Sequence, residues 1–297
     1  MSRTVYVNGH YVPEEEATVS IFDRGFLFAD GIYEVTAVIG DRLIDFEGHM
    51  ARLRRSLREL DIHLTAGDNE LRDIHRELIS RNALTEGLVY LQVTRGVAER
   101  DFAYPAADTP ASLVLFTQTK NIIDSPLAEK GLRIATLPDI RWGRRDIKTV
   151  QLLYPSMAKM EAKKRGADDA WLVEAGLVTE GTSSNAWIVD HENTLVTREL
   201  SRALLHGITR GAIAELALAH GMKVEERGFT VKEAQNACEA FVTSSTSLVH
   251  PVIAIDERPV GDGLPGAFAR ELRRFYIERA LGPDTEKALG AGDNAGT

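Results

Sequence analysis

Phe46, Met50, Leu53, Leu57 and Leu60 follow one another at intervals of 4, 3, 4 and 3 residues, the repeat that lines one face of an α-helix. Such a stripe must be buried against another element, and the flanking sequence offers strands. Thr4-Val5-Tyr6-Val7 runs into Asn8-Gly9 and returns through Tyr11-Val12, the signature of a tight hairpin. Residues 32–39 read as a longer strand that turns at Gly40-Asp41 into Arg42-Leu43-Ile44. Leu71, Ile74 and Leu78 mark a second helix, and residues 88–94 and 112–118 read as strands around a loop at 96–110.

The pattern starts again after Gly131. Strands are expected at 132–137, 170–173, 186–189 and 240–242, and helices at 152–165 and 208–220, with Pro155 tolerated in a first turn. The stretch 121–130, which holds Pro126, is the expected linker between a domain at 1–120 and a larger one at 131–282. The small, polar tail at 283–297 is expected to fray.

A chain of 297 residues is long enough to bury one large or two modest cores. Its 35 Lys and Arg against 44 Asp and Glu leave a net charge of −9. That balance argues against nucleic acid, whose phosphates need a dense positive face, while a few local donors suffice for a small anion. No apolar run approaches the roughly 18 residues that span a bilayer, and the first residues lack the apolar core of a signal peptide. Cys238 is the single cysteine, and the eight His include no HExxH spacing. The expectation is a cytoplasmic protein without disulfide, metal site or membrane span.

Three polar stretches stand beside strands that should be buried: Arg145-Asp146-Ile147-Lys148-Thr149, Thr179-Glu180-Gly181-Thr182-Ser183-Ser184-Asn185, and Gly207-Ile208-Thr209-Arg210 with Thr243-Ser244-Ser245-Thr246. Taken singly, each has an ordinary reading. A lone Lys is usually a solvated residue, a Thr/Ser/Gly run a turn, and a Gly-Ile-Thr start a helix cap. A helix N-terminus beside hydroxyls is also what a phosphate monoester needs.

In this order, the stretches resemble the fold-type IV pyridoxal-phosphate enzymes, which include D-amino-acid aminotransferases, branched-chain aminotransferases, (R)-amine transaminases and aminodeoxychorismate lyases. The first half resembles them too, through Asp23-Arg24-Gly25-Phe26, Phe28-Ala29-Asp30-Gly31-Ile32-Tyr33-Glu34 and His49-Met50-Ala51-Arg52-Leu53. The likeness runs from about Val5 to Ile255. It implies an α+β, α/β architecture of two domains: a small N-terminal α+β domain and a larger C-terminal one with a mixed, barrel-like sheet.

The resemblance also implies roles. Lys148 makes the Schiff base with pyridoxal 5'-phosphate and shuttles the substrate proton, with Arg144 and Arg145 as candidate positive neighbours. Glu180 pairs with the pyridine nitrogen, and Ser184 and Asn185 complete that cofactor-binding stretch. Arg52, the helix start at Ile208 and Thr209, and Ser244 with Ser245 form the phosphate cup. Ser245 stands where many relatives carry Thr, which keeps both hydroxyl and N–H. From the residues alone, Arg52 reads as a solvated helix face shared with Arg54, Arg55 and Arg58.

On the substrate side the resemblance points to Tyr33, Arg100, Phe102 and Thr246. D-amino-acid aminotransferases hold the substrate carboxylate with a Tyr and with an R-x-H loop supplied by the partner subunit. Here Arg100 matches the Arg, and Phe102 stands where the His is expected. The loop sides with D-amino acids as donors and 2-oxoglutarate or pyruvate as acceptor, in a homodimer whose active sites are shared across the interface. Losing the His donor implies larger or more apolar substrates and opens (R)-amines. The alternatives are an (R)-amine or branched-chain transaminase and, in a different reaction class, an aminodeoxychorismate lyase. A relative that keeps the fold without the chemistry would normally lack Lys148 or Glu180, and both are present.

Overall fold

The computed structural model describes residues 2–282; the tail expected to fray lies outside them. The chain forms two compact units. One comprises the chain up to Asn121 together with Ile140–Ala158 and Leu200–Ile208, and the other comprises Ile122–Asp139, Lys159–Glu199 and the chain from Thr209 on.

The first unit contains β1 (Thr4–Val7), β2 (His10–Pro13), α1 (Arg24–Phe28), β3 (Gly31–Ile39), β4 (Arg42–Leu43), α2 (Phe46–Glu59), α3 (Asp68–Arg81), β5 (Glu86–Thr94) and β6 (Ser112–Thr119). Its strands form one sheet in the order β2-β1-β6-β5-β3-β4, antiparallel at every pairing. Both expected tight turns are present. Asn8 and Gly9 have φ of 46° and 95°, and Gly40 and Asp41 have 56° and 66°, the paired positive φ values that let a two-residue loop follow the strand twist. The apolar stripe of α2 is buried as the spacing requires: Met50, Leu53 and Leu57 pack with Leu71, Ile74 and Leu78 of α3 and with Val89, Leu91, Val93 and Leu115 of the sheet. The stretch between β2 and β3 contains α1, whose first turn is capped by Asp23 Oδ1 accepting from Gly25 N at 2.8 Å.

The second unit contains α4 (Pro126–Lys130), β7 (Leu132–Pro138), the second half of α5 (Leu153–Lys164), β8 (Asp169–Glu174), β9 (Leu177–Gly181), β10 (Asn185–Val189), β11 (Thr194–Thr197), α6 (Ile208–Ala219) from Thr209 on, β12 (Lys223–Glu226), α7 (Val231–Gln235), β13 (Glu239–Ser244), β14 (Leu248–Ile255), β15 (Arg258–Pro259) and α8 (Ala267–Leu281). The sheet order is β12-β11-β10-β13-β14-β7-β8-β9, with β15 on β14. Three of the pairings along it are parallel (β11–β12, β14–β7, β7–β8) and the others antiparallel. β9, at one end of this path, also packs against β10, so the mixed sheet curls toward closure, the barrel-like form expected. Its apolar interior is built from Trp171, Val178, Ile188, Val196, Phe229, Val242 and Val252.

No strand or helix is expected after Ser247, yet β14, β15 and α8 lie there. α8 depends on a distant cap: Glu239 accepts from the N–H groups of Phe268 and Ala269 at 3.1 and 3.2 Å. Its Arg273 is buried and donates to the carbonyls of Ser247 and Val249.

Candidate active site

In the first unit, Lys148 is positioned by the edge of β3. β4 pairs only with Val38 and Ile39, which leaves the N-terminal half of β3 open on that side. The segment around Lys148 takes up those backbone groups. Tyr33 N donates to Lys148 O at 3.0 Å, Val150 N donates to Gly31 O at 3.1 Å, and Ile32 bridges Thr149. Ile147 enters the apolar core beside this edge and anchors the segment. The Lys148 side chain, half-buried, brings Nζ to 4.1 Å from the Tyr33 ring centroid, close enough for the ring face to attract a cation. Tyr33 in turn stacks on Tyr90 (5.5 Å) and Tyr90 on Phe116 (4.7 Å). Burial, and then the neighbouring Tyr33, push the Tyr90 hydroxyl well above its ordinary range.

The two neighbouring arginines have partners of their own. Arg144 pairs with Glu59 and Asp146, so its charge is already compensated. Arg145 is buried and donates to the carbonyls of Ala203 and Arg141.

Arg52 corrects the residue-level reading of a solvated face. It is 7% exposed, with Nε and Nη2 donating to the two oxygens of Glu34 at 2.8 and 2.7 Å and Nη1 donating to His206 O at 3.0 Å. His49 lies one helical turn before Arg52 on α2 and therefore on the same face. Its Nδ1 is 2.7 Å from Glu34 Oε2; a carboxylate only accepts, so this nitrogen carries the hydrogen. Burial alone would push the Glu34 carboxyl up, but the Arg52 guanidinium and the His49 ring outweigh it and hold the group at about 2. Glu34 and His49 stood inside recognised motifs with no role attached. The i, i+3 spacing of His49 and Arg52 was a legible signal; their shared acid on β3 was not. Close by, a Cβ on Gly48 would come to 3.0 Å from Ile208 Cγ2, so the glycine lets α2 approach Ile208.

In the second unit, Glu180 is the penultimate residue of β9 and is buried, 4% exposed, and Asn185 begins β10 with Nδ2 donating to Glu180 Oε2 at 3.3 Å. The turn between them is tight. Gly181 N donates to Ser184 O at 2.7 Å, and a Cβ on Gly181 would lie 2.4 Å from Ser184 Oγ, which is why glycine separates the acid from the serines. Asn185 stands opposite Thr243 of β13, and Ser244, Ser245 and Thr246 follow at the strand end. Ser244 Oγ accepts from Ser247 N at 3.2 Å. The first turn of α6 contributes Thr209 and Arg210, each 2% exposed. Arg210 lies 5.9 Å from the Trp187 ring, and Trp187 Nε1 donates to Thr243 Oγ1 at 3.1 Å. These elements therefore offer the buried Glu180 carboxylate, several hydroxyls and a helix N-terminus, whose first N–H groups have no partner within the helix. The hydroxyls and N–H groups suit a phosphate monoester, and the carboxylate accepts from a protonated ring nitrogen.

Arg100 and Phe102 are exposed, Phe102 to 80%. The Arg100 guanidinium lies 5.5 Å from the Phe28 ring and 5.7 Å from the Phe102 ring. Among the described residues, no hydrogen bond, ion pair or ring contact joins either residue to Lys148 or Tyr33. No group of three or more potential metal ligands occurs among the described residues, and none of their helices is long and apolar enough to cross a membrane.

The profile described as amino-transferase class IV matches residues 31–255. The D-alanine aminotransferase of Bacillus licheniformis is 38% identical over 287 residues, covering 96% of this chain and 99% of that protein. The D-alanine aminotransferase of Staphylococcus aureus (strain MSSA476) is 37% identical over 274 residues, 92% and 96% of the two chains. Among solved structures, a T.th. branched-chain amino acid aminotransferase with pyridoxamine 5'-phosphate superposes with a TM-score of 0.86 at 26% identity, over 97% of each chain. The branched-chain aminotransferase of Thermoproteus uzoniensis with norvaline gives 0.84 at 25% identity, over 95% and 96%.

Proposed function

This chain belongs to the amino-transferase class IV family, and from that membership we propose that it is a pyridoxal 5'-phosphate enzyme that transaminates D-amino acids of the D-alanine type. The carrying observation is that Lys148 Nζ stands 4.1 Å over the Tyr33 ring, in a chain that D-alanine aminotransferases match over more than nine-tenths of its length. Bound cofactor supplies an electron sink for the pair left behind when the substrate Cα–H bond breaks. The chain's own residues do the rest. Lys148 Nζ is the point of attachment and carries the proton that leaves the substrate Cα. Glu180 keeps a ring nitrogen protonated, with Asn185 fixing its carboxylate and Ser184 closing the turn behind it. Arg52, the N–H groups at Ile208 and Thr209, and Ser244 and Ser245 hold the phosphate.

Substrate choice falls to Tyr33, Thr246 and a partner subunit's copy of Arg100 and Phe102 in a homodimer; the guanidinium fork takes a carboxylate in two parallel bonds. The exposed apolar residues Ile21, Phe22, Phe26, Val97 and Phe102 support a partner against that edge of the first unit. Phe102 adds an apolar wall where a His donor is expected, which favours larger hydrophobic D-amino acids. The net charge of −9 supports small-molecule substrates rather than nucleic acid.

The test is spectroscopic. Purified protein should carry a visible absorption band that borohydride abolishes, and Lys148→Ala should lack the reducible band. D-alanine should bleach the band, and 2-oxoglutarate or pyruvate should restore it. Equal bleaching by L-alanine, or repeated turnover of an enol-ether substrate to pyruvate with no keto acid present, would overturn the assignment.

A further inference from the structure

Arg100 makes no hydrogen bond or ion pair among the described residues, so its own side chain does not hold it in place. Its backbone is held from below. Arg24 is 3% exposed; its Nη1 donates to Asp101 O at 2.7 Å and reaches Ala103 O at 3.4 Å, the carbonyls that flank Phe102. The same guanidinium gives Nε to Asp30 Oδ2 at 2.8 Å and lies 4.5 Å from the Phe28 ring, against which Arg100 also packs. Arg95 shares the acid, with Nε to Asp30 Oδ2 at 2.7 Å and Nη2 to Oδ1 at 3.1 Å. Arg95 also donates to the carbonyls of Leu60 and Asp61, just past the end of α2, and its guanidinium sits 3.6 Å from the Tyr104 ring.

Two guanidiniums on one carboxylate leave a net positive charge where all three side chains are at most 10% exposed. Such a group is a costly way to fill space, since well-packed apolar residues of similar volume often do as well or better. Its hydrogen bonds have a specific destination instead: the segment 101–104 on one side and the end of α2 on the other. We propose that Arg24, Asp30 and Arg95 form a clamp that positions the Arg100 loop. By fixing the loop backbone, the clamp sets the affinity for the substrate carboxylate. This inference rests on Arg100 being the carboxylate anchor. Arg24 is a positioning residue, acting through the backbone on either side of Phe102.

Arg24→Lys tests the clamp in the holoenzyme, because an ammonium keeps the charge but lacks the fork that serves Asp30 and the loop carbonyls together. In the half-reaction followed by the visible band, the apparent dissociation constant for D-alanine should rise about tenfold. The limiting rate should change less than twofold, with bound cofactor unaltered. Hydrogen exchange across residues 97–106 should accelerate about tenfold. Tyr104→Leu, at a position 58% exposed, keeps the test open if Arg24→Lys does not fold; it should shift both readouts the same way by about threefold. Unchanged exchange, faster exchange without loss of affinity, or a fall in limiting rate with affinity intact each overturns the clamp. A wild-type enzyme inert toward D-alanine would defeat the D-amino-acid reading instead, and the exchange measurement would still decide whether the clamp holds the loop.

Discussion

Arg52 lies on the buried face of α2 with Glu34 across two of its nitrogens and a carbonyl on the third, whereas Arg100 stands in solvent between two phenylalanine rings. Both are assigned to anions, a phosphate and a carboxylate, yet the fold immobilises them by different means. At Arg52 the side chain itself is fixed by full charges, and Glu34 offsets its charge before any ligand arrives. At Arg100 only the backbone is fixed, and the guanidinium keeps its charge and its freedom. The first arrangement suits a group that stays bound through every cycle. The second suits a substrate that must leave, since a fully preorganised anchor raises affinity for product as readily as for substrate.

Breaking the first arrangement should have the largest effect. Glu34→Gln leaves a buried guanidinium uncompensated, which costs about 3–5 kcal/mol of stability. Cofactor affinity, measured by equilibrium dialysis, should weaken on the order of 100-fold; a change under twofold would mean that Glu34 does not orient Arg52. The linkage has a definite sign. The Glu34 carboxyl is depressed from 4.5 to about 2, so its contribution is complete above about pH 4.5 and is lost as pH falls toward 2.

His75 sharpens the same point, because it is a buried imidazole placed without a carboxylate partner. It lies on α3 at 0% exposure with Nδ1 bonded to Leu71 O and its ring edge-on to Phe46. Burial pushes its pKa down from 6.5 to about 4. Stability that is full above about pH 6.5 should therefore decline as pH drops toward 4, by about 2 kcal/mol between pH 6.5 and 5. His75→Phe should remove this decline in urea titrations and leave D-alanine kinetics unchanged. An acid branch as steep as that of the wild type would reject the assignment.

The smallest effect is expected where Arg100 is least constrained. Phe102→His restores a donor beside the guanidinium and removes an apolar wall. The apparent dissociation constant for D-alanine should fall about fivefold, near 1 kcal/mol, while bulky apolar D-amino acids lose ground. Titrating the half-reaction with D-alanine and D-phenylalanine measures both, and parallel changes in the two would contradict the role given to Phe102.

What could be read from sequence followed the range of the interactions. The α2 stripe, the Asn8-Gly9 hairpin and the helix starting at Ile208 are local patterns, and the structure contains each of them. The motif residues from Lys148 to Thr246 were also legible, because a resemblance preserves their order. Arg52 was misread from its surroundings because its neighbours in sequence, Arg54, Arg55 and Arg58, are charged too, while its acid is 18 residues away on a strand. α8 escaped notice for a similar reason: its cap, Glu239, lies about thirty residues earlier. The Arg24–Asp30–Arg95 group joins residues up to 71 positions apart and has no periodicity to reveal it.

The pairing of Lys148 with the β3 edge bears on which changes this chain can accept. Tyr33 and Glu34 are consecutive on an extended strand, so they look to opposite faces: Tyr33 toward Lys148, Glu34 toward His49 and Arg52. Substitutions can tune either face separately. A single codon inserted or deleted between Gly31 and Tyr33 would swap the two faces at a stroke, setting the acid under the lysine and the phenol under the arginine. Over evolutionary time this stretch should therefore vary in letters and never in length.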